Sequence, residues 1–397
     1  MRMKVRALCI GAVLLAAVWT AGCGHYVCGT TFGSATCTAS GSGISSSSGG
    51  SGSTSSSISV TAFVYFVDPS AGELAAEALN ANNSQTFAPL SSFVSPAISG
   101  GGGGGMVVVG KTYLYIAATN SVLLGFSINS STGALTPVPN SPYAVTGPSI
   151  AADPQGRFLF VGGPGIISAM TINSDGSLTA VPGSPFSTTG ITPTQLVTDG
   201  LGKYLYAVGA STISEYSYNQ TTGALSVVAG SPLYTGMSEI ASETTGKFIL
   251  GITGATSNVF VFAIGSTGGL TGVTGSPFPT QLAPVNLAVS PNGAFVYTFN
   301  QSDLATLATA QPMEGFSLNG AGALTALSGS PFTGLNAAVG VFDQSGQFLF
   351  TVALVPNANL QAAGEFAYAV DTSTGAVSSS LPNAGVVSET YAVTDAP

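Results

Sequence analysis

The sequence predicts an all-β fold built from a repeated unit of four short strands. Three observations predict it: 53 glycines among 397 residues, a charged fraction of only 6%, and an aromatic strand pattern that recurs along the chain. Many glycines favour turns, and the lack of long stretches rich in Ala, Glu, Lys and Leu argues against long helices. Because 45% of the residues are apolar, the chain can bury a large core and is not disordered throughout.

The recurring pattern consists of two apolar, mostly aromatic residues separated by one residue. Such period-two alternation is typical of a strand with one buried face. Successive copies lie 44 to 53 residues apart, at Phe63/Tyr65, Tyr113/Tyr115, Phe158/Phe160, Tyr204/Tyr206, Phe248/Leu250, Phe295/Tyr297 and Phe348/Phe350. Seven equivalent copies favour packing between sheets over a role in binding a cofactor.

Each repeat contains four strand-like segments, which we label A to D from the inside of the unit to the outside. In one repeat, strand A is 286–289, a turn follows at 290–293, and strand B is 294–299. In the preceding repeat, strand C is 258–264 and strand D is 270–273. Four strands in about 45 residues are typical of a β-propeller blade. The sequence therefore predicts a seven-bladed β-propeller with four antiparallel strands per blade.

The two ends of the repeat region predict how the ring closes. The first unit has no A strand before Phe63, whereas the chain finishes with a lone strand of type A at 390–394. We expect this C-terminal strand to complete blade one and close the ring, which would hide the open sheet edges. The propeller would then occupy residues 58–397.

The N-terminal residues predict export. Residues 1–22 resemble a signal peptide, because three basic residues precede an apolar stretch that is short for a stable membrane span. The segment Thr20-Ala21-Gly22-Cys23 is similar to a bacterial lipobox, which would make Cys23 the lipidated first residue. Cleavage without lipidation is the alternative. We expect a periplasmic or cell-surface protein that reaches the membrane through its lipid anchor only.

Residues 23–57 form a leader and a linker between the anchor and the propeller. In this leader Cys28 and Cys37 would form a disulfide in an oxidising compartment, and two free thiols are the alternative. Residues 39–57 are almost entirely Ser and Gly, which is typical of a flexible tether.

Charge and composition exclude several functional classes. The net charge is −9, with seven Lys and Arg residues against sixteen Asp and Glu residues, so we expect no nucleic-acid partner. The single histidine, His25, lies in the leader, so a Ser-His-Asp triad lacks its base. The sequence also lacks the His and Cys clusters of a zinc site, and we expect neither a metal nor another cofactor.

Three short motifs recur in the repeats. They are Gly-Ser-Pro-Phe at 183–186, 275–278 and 329–332 with variants at 140–143 and 230–233, Thr-Gly-Ala-Leu at 132–135 and 222–225, and Gly-Lys-aromatic at 202–204 and 246–248. Over about residues 60–397 the chain resembles the lactonase-type seven-bladed propellers, the 6-phosphogluconolactonase-like or YVTN-like family. The resemblance implies a propeller and, in enzyme members, lactone hydrolysis with Arg-His pairs near the starts of A strands.

The residues at those positions differ from the family's pattern. They lie at 148–149, 194–195, 238–239, 285–286, 338–339 and beside Tyr391, and none of them is Arg or His. The candidate ligand-binding residues there are Ser149, Gln195, Glu239, Asn286 and Tyr391. Glu239 is the one carboxylate of this set and would be the base if desolvated, but lactone opening also needs a donor for the oxyanion.

Longer connections predict a binding face. Loops at about 301–311 and 356–364 join strands B and C in two repeats, and a glycine-rich loop at about 94–105 joins strands D and A. All three would lie on one face of neighbouring blades, where Asp303 and Asn357 are further candidate ligand-binding residues.

Together these features predict an exported, lipid-anchored propeller that acts as a non-catalytic binding or scaffold module. Its partner would be a protein or a small neutral ligand on the face that carries the long loops. The alternative is a divergent lactone hydrolase that acts on an uncharged lactone through Glu239.

Overall fold

The computed structural model describes residues 60–68, 73–80, 86–89, 105–118, 122–188, 190–300, 312–332, 339–355, 362–380 and 393–395. Within these ranges the chain forms strands and turns, and no helix is present. The strands are numbered β1 to β32 in chain order.

The bounds of the strands are as follows. Strands β1 to β8 are Val60–Asp68, Glu73–Asn80, Thr86–Pro89, Met106–Val109, Tyr113–Ala118, Val122–Ile128, Leu135–Pro137 and Tyr143–Ala144. Strands β9 to β18 are Ser149–Ala152, Phe158–Gly163, Ile166–Ile172, Leu178–Ala180, Phe186–Ser187, Gln195–Thr198, Tyr204–Val208, Thr212–Tyr218, Leu225–Val227 and Leu233–Tyr234. Strands β19 to β27 are Glu239–Ser242, Phe248–Ile252, Asn258–Ile264, Leu270–Gly272, Phe278–Pro279, Pro284–Val289, Phe295–Asn300, Glu314–Leu318 and Leu324–Ala326. Strands β28 to β32 are Val339–Phe342, Phe348–Val355, Ala362–Val370, Val377–Ser380 and Val393–Asp395.

These described strands form seven antiparallel sheets, and each sheet contains a path of four hydrogen-bonded strands. From the inside outwards the paths are β32-β1-β2-β3, β4-β5-β6-β7, β9-β10-β11-β12, β14-β15-β16-β17, β19-β20-β21-β22, β24-β25-β26-β27 and β28-β29-β30-β31. The expected all-β propeller with four strands per blade is confirmed.

The innermost strands contact one another from sheet to sheet. Successive contacts run from β4 through β9, β14, β19 and β24 to β28, and β32 contacts both β28 and β4. The C-terminal strand pairs with β1, where Phe63 lies opposite Asp395 and Tyr65 opposite Val393. An A-type strand is thus present at the C-terminal end, at Val393–Asp395, while residues 390–392 lie outside the described ranges.

The hydrophobic core lies between neighbouring sheets. Phe160 of β10 packs in one cluster with Leu205 and Tyr216 of the next sheet. Similarly, Val64 of β1 packs with Phe350 of β29, so the first and last sheets of the chain share a core cluster. Because a sheet presents side chains on both faces, each sheet buries apolar surface against two neighbours.

The recurring aromatic residues connect neighbouring sheets, as the sequence predicts. Buried tyrosine hydroxyls of the second strand donate to glycine carbonyls in a turn of the next sheet. These pairs are Tyr65 to Gly133 at 2.9 Å, Tyr115 to Gly176 at 2.7 Å, Tyr206 to Gly268 at 3.0 Å and Tyr297 to Gly375 at 2.7 Å. Each bond satisfies a hydroxyl that burial would otherwise penalise.

Acidic residues at the turns between the first and second strands accept backbone N–H groups of the same turn. One carboxylate oxygen of Asp199 accepts the N–H groups of Lys203 and Tyr204 at 2.6 Å each. Glu243 accepts the N–H of Thr245 at 2.7 Å in the next sheet. These acids stabilise turns, which is the role that an acid at the first turn position predicts.

The structure adds short strand segments that the sequence analysis did not anticipate. The two-residue strands β8, β13, β18 and β23 follow the fourth strand of their sheets and pair with the third strand. Each segment contains the end of a Gly-Ser-Pro-Phe motif or variant, whose Ser–Pro bond is cis. The motif's serine Oγ accepts a backbone N–H of the third strand: Ser141 from Gly125, Ser184 from Ala169, Ser231 from Glu215, Ser276 from Val261 and Ser330 from Gly315, at 2.8–3.0 Å.

We expect Ser231→Ala to lower the free energy of unfolding by about 1–2 kcal/mol, because it leaves the backbone N–H of Glu215 without its acceptor. Urea unfolding measures the change. The matched control is Ser226→Ala in the outer strand β17, where the side chain is exposed and the expected change is below about 0.5 kcal/mol. Equal changes in the two variants would contradict this role for the motif.

Candidate functional site

Four of the candidate residues occupy the beginnings of successive innermost strands. Ser149, Gln195 and Glu239 are the first residues of β9, β14 and β19, and Asn286 lies in β24. Ser149, Glu239 and Asn286 are buried, and Gln195 is partly buried. The other residues singled out from the sequence, namely Tyr391, Asp303, Asn357, Cys23, Cys28 and Cys37, lie outside the described residues.

The side chain of Gln195 binds the backbone of the next innermost strand. Its Oε1 accepts the N–H of Ile240 at 2.8 Å, and its Nε2 donates to the carbonyl oxygen of the same residue at 3.0 Å. A carboxamide can satisfy both backbone groups at once, because it carries a donor and an acceptor.

The same relation recurs in the next two sheets. One carboxylate oxygen of Glu239 accepts the Nδ2 hydrogen of Asn286 at 2.6 Å and contacts the N–H of Leu287 at 3.5 Å. Asn286 in turn accepts the N–H of Gly340 in β28 through Oδ1, at 3.0 Å. We call Gln195, Glu239 and Asn286 the inner-strand belt, because each connects its strand to the next across a blade boundary.

Ser149 does not belong to the inner-strand belt. Its Oγ donates to the carbonyl oxygen of Gly162 at 3.2 Å, within its own sheet. The structure thus brings Glu239 and Asn286 into direct contact, places Gln195 one strand away, and leaves Ser149 bonded to its own blade.

Burial raises the pKa of Glu239 to about 8, because desolvation outweighs the hydrogen bonds from Leu287 and Asn286 that favour the charged form. At neutral pH most of this group is therefore a neutral carboxylic acid, which can donate a hydrogen bond. A neutral acid is a poor general base for water, so base catalysis by Glu239 would require a pH near or above 8.

The basic residues of the propeller lie at the other end of the strands. Lys111, Arg157, Lys203 and Lys247 all lie in turns between a first and a second strand, as their Gly-Lys-type positions predict. Arg157 pairs with Asp153, with Nε 2.7 Å from the carboxylate. In the part of the chain that the structure describes, no Lys or Arg therefore adjoins the inner-strand belt.

The described residues contain no group of three or more His, Cys, Asp or Glu side chains arranged to hold a metal. The segment 173–176, which contains an Asn and an Asp, is a turn. Asp175 there accepts the backbone N–H of Ser177 at 2.9 Å and the hydroxyl of Ser177 at 2.6 Å. These bonds lower the pKa of Asp175 from its ordinary value.

Sequence reasoning missed a second set of buried polar side chains. Thr298 and Asn300 lie at alternate positions of β25, and Glu314 of β26 lies opposite Thr298. At most 3% of each residue is exposed. The signal available in the sequence is weak: two polar residues at alternate positions of an otherwise apolar strand.

No protein-family model and no curated protein matches the sequence. Solved structures do match over nearly their whole lengths. A periplasmic gluconolactonase from Pseudomonas aeruginosa has a TM-score of 0.64 at 17% identity, over 84% of this chain and 98% of its own. The chain has the fold of the 6-phosphogluconolactonase-like propellers.

Two further lactonase-type propellers align over a similar length. Candidate 6-phosphogluconolactonases from Bacteroides fragilis and Bacteroides uniformis have TM-scores of 0.60 and 0.61, with 15% and 18% identity. Each alignment covers 85% of this chain and 99% of the other. At this identity the likeness establishes the fold, and activity must be argued from the site.

Among the described residues, no helix has the length and apolar character needed to cross a membrane.

We expect the stability difference between Glu239→Gln and the wild-type protein to depend on pH. The pKa of Glu239 is about 8 in the folded protein against an ordinary 4.5. The stability that this raised pKa contributes is therefore fully present below pH 4.5 and is lost as pH rises through 8. Glutamine has no such loss. The free energy of unfolding of the variant minus that of wild type should therefore increase by a few kcal/mol between pH 5 and pH 8. Above about pH 9 this difference should stay constant.

Urea unfolding at pH 5, 7 and 9 measures this difference. The control is Asp175→Asn, since the lowered pKa of that exposed carboxyl predicts a flat difference above pH 5. A flat difference for Glu239→Gln over the same range would show that Glu239 is ionised in the folded protein.

Proposed function

We propose that this protein is an exported, lipid-anchored, seven-bladed propeller that acts as a non-catalytic binding or scaffold module. One observation carries the non-catalytic part: the polar side chains at the starts of the innermost strands are bonded to neighbouring strands. Gln195, Glu239 and Asn286 use their polar atoms across blade boundaries. Side chains held in this way stabilise the packing of the blades, and they provide no base that is ionised at neutral pH.

The electrostatics support the same proposal. Lactone opening develops negative charge on the carbonyl oxygen, which a cation or a set of hydrogen-bond donors must stabilise. The four basic residues that follow residue 57 lie in turns at the opposite end of the strands from the inner-strand belt. A phosphorylated substrate would also need Arg or Lys near this end, so such a substrate fits poorly.

A closed ring of seven blades is part of the proposal. Two features support it: the core cluster that Val64 and Phe350 share between the first and last sheets, and the contacts of β32 with both β28 and β4. Closure by the C-terminal strand would protect the inner edge of β1, before which the sequence predicts no A strand.

Export and anchoring rest on the sequence. The signal-like segment 1–22, the lipobox-like Thr20-Ala21-Gly22-Cys23 and the Ser/Gly-rich tether support a globular domain held outside the cytoplasm by a lipid on Cys23. The candidate binding loops around Asp303 and Asn357 would lie on the face of the propeller that carries the longest connections.

A divergent lactone hydrolase is the second candidate function. It is favoured by the solved propellers that share this fold, which include a periplasmic gluconolactonase. It is also favoured by the buried position of Glu239, because a desolvated acid with a raised pKa is a common feature of active sites. In this function Glu239 would act as the base on an uncharged lactone, and its rate would rise with pH through about 8.

We expect the purified full chain to hydrolyse neither neutral nor phosphorylated lactones above the spontaneous rate at pH 6 to 9. A pH-stat titration of released acid measures this, with a known gluconolactonase as positive control and Glu239→Gln as the matched variant. Turnover that disappears in Glu239→Gln, while the variant still folds, would establish the hydrolase and exclude the scaffold function.

We expect Cys23→Ser to move the protein from the membrane fraction to the soluble extracytoplasmic fraction, because a lipid on Cys23 is the proposed anchor. Fractionation and labelling with an alkyne fatty acid measure this change. Cys28→Ser is the control and should keep both label and membrane association. Unlabelled wild-type protein in the soluble fraction would support the alternative of cleavage without lipidation.

A further inference from the structure

Two buried oxygen atoms between the fifth and sixth sheets have no hydrogen-bond partner. They are Oγ1 of Thr298, which is fully buried, and Oδ1 of Asn300, whose residue is 2% exposed. Leaving a buried polar atom without a partner destabilises the folded state, so a native protein normally supplies one.

The hydrogen bond of the Asn300 side-chain nitrogen sets the orientation of its amide group. Nδ2 donates to the carbonyl oxygen of Pro312 at 2.7 Å, and a carbonyl oxygen can only accept. The atom left over is therefore the amide oxygen, which is an acceptor and needs either a donor or a cation.

Strand register places Glu314 on the same face of the sheet as these two residues. Thr298 of β25 lies directly opposite Glu314 of β26, and directly opposite Leu287 of β24 on its other side. Residues opposite each other in an antiparallel pair share a face, and so do residues two apart in one strand. Asn300 is thus on the same face as Thr298 and Glu314, and this face packs against the fifth sheet with Val296 and Leu287.

The Glu314 carboxylate is buried, with 3% of the residue exposed, and it accepts two backbone N–H groups. Gln281 donates to both of its oxygens at 3.0 and 2.9 Å, and Leu282 donates to Oε1 at 3.2 Å. A carboxylate has about four lone-pair sites, so further acceptor capacity remains. The two N–H groups supply dipoles but no full positive charge.

No basic side chain of the propeller lies near this carboxylate. All four Lys and Arg residues after residue 57 are in the turns between first and second strands, at the far end of the sheets. Buried charges are normally paired with an opposite charge or with a metal ion. A water molecule could satisfy Thr298 and Asn300 but would leave the charge of Glu314 uncompensated.

We propose that Thr298, Asn300 and Glu314 form a binding site for a small hard cation, Ca²⁺ or Na⁺, between the fifth and sixth blades. A hydroxyl oxygen, an amide oxygen and a carboxylate are the ligand types that such ions prefer. The ion compensates the buried charge and supplies the partner that the two unpaired oxygens lack. It also links β25 and β26 to the connection at Gln281, next to the inner-strand belt residue Asn286.

The pairing of a hydroxyl with a carboxylate distinguishes this blade from the third, fourth and fifth blades. The residues that correspond to the pair Thr298 and Glu314 are Ala207 and Ser214 in the fourth sheet, Val161 and Ser168 in the third, and Gly251 and Phe260 in the fifth. A carboxylate at this position is therefore not a requirement of the blade.

The test uses the full chain, freed of metals with a chelator and dialysed into a buffer with tetramethylammonium as the only cation. Equilibrium dialysis with metal analysis measures bound Ca²⁺ and Na⁺ in separate arms, and thermal unfolding measures the effect on the midpoint. We expect about one ion per chain and a rise in Tm of about 2–5 °C when the ion saturates the site.

Three variants make the result specific. Glu314→Gln should weaken ion binding at least about tenfold. Thr298→Val should weaken ion binding too, yet raise the Tm of the ion-free protein, since it removes an unpaired buried hydroxyl. The control Glu215→Gln removes another buried carboxylate, which accepts the N–H of Leu270 at 2.8 Å, and should bind the ion like wild type.

Binding of neither ion by the wild-type chain would overturn the proposal and leave a site for water only. Equal ion affinity in Glu314→Gln and Glu215→Gln would also overturn it. If Glu314→Gln does not fold, Thr298→Val decides, because unchanged ion affinity in that variant excludes Thr298 as a ligand.

Discussion

Each blade has apolar side chains on both of its faces, so it is stable only while a neighbouring blade covers each of them. This requirement explains why the core consists of clusters between sheets, such as the one that Phe160 shares with Leu205. It also explains why several buried polar side chains bond across blade boundaries. The hydroxyl of Tyr206, for example, reaches Gly268 in the next sheet, where it satisfies a carbonyl in a closely packed turn.

A low content of charge shapes how the blades are connected. With 6% charged residues, ion pairs contribute little, and neutral side chains bond to backbone groups instead. Gln195 binds both polar groups of Ile240, and Glu239 takes the equivalent place one strand further on, where burial keeps it largely protonated at neutral pH. A protonated carboxyl resembles a carboxamide in having a donor and an acceptor, so Glu239 fits a position that an amide occupies in the adjacent strands.

The fold could be predicted closely from the sequence because its signals are local. The predicted A strand 286–289 lies within Pro284–Val289, and the predicted C strand is Asn258–Ile264 itself. The two-residue segments such as Phe186–Ser187 could not be predicted, since two residues have no periodicity.

The candidate site could be predicted only in part. The positions of Gln195, Glu239 and Asn286 follow from the repeat, but their partners do not. Glu239 meets Asn286 across 47 positions in the chain, and no local pattern indicates that contact.

By itself the sequence determined the four-stranded repeat, the turn chemistry, and the ends of the blades at which the basic residues and Gln195, Glu239 and Asn286 lie. The strands and turns depend on spacings of two to five residues, and the repeat depends on one pattern that recurs every 44 to 53 residues. Only the tertiary structure decided that the inner-strand belt connects blades, that Glu239 carries a raised pKa, and that Thr298, Asn300 and Glu314 share one buried face. Burial and hydrogen bonding belong to the packed sheets, because each is created by residues that are distant in sequence and adjacent in space.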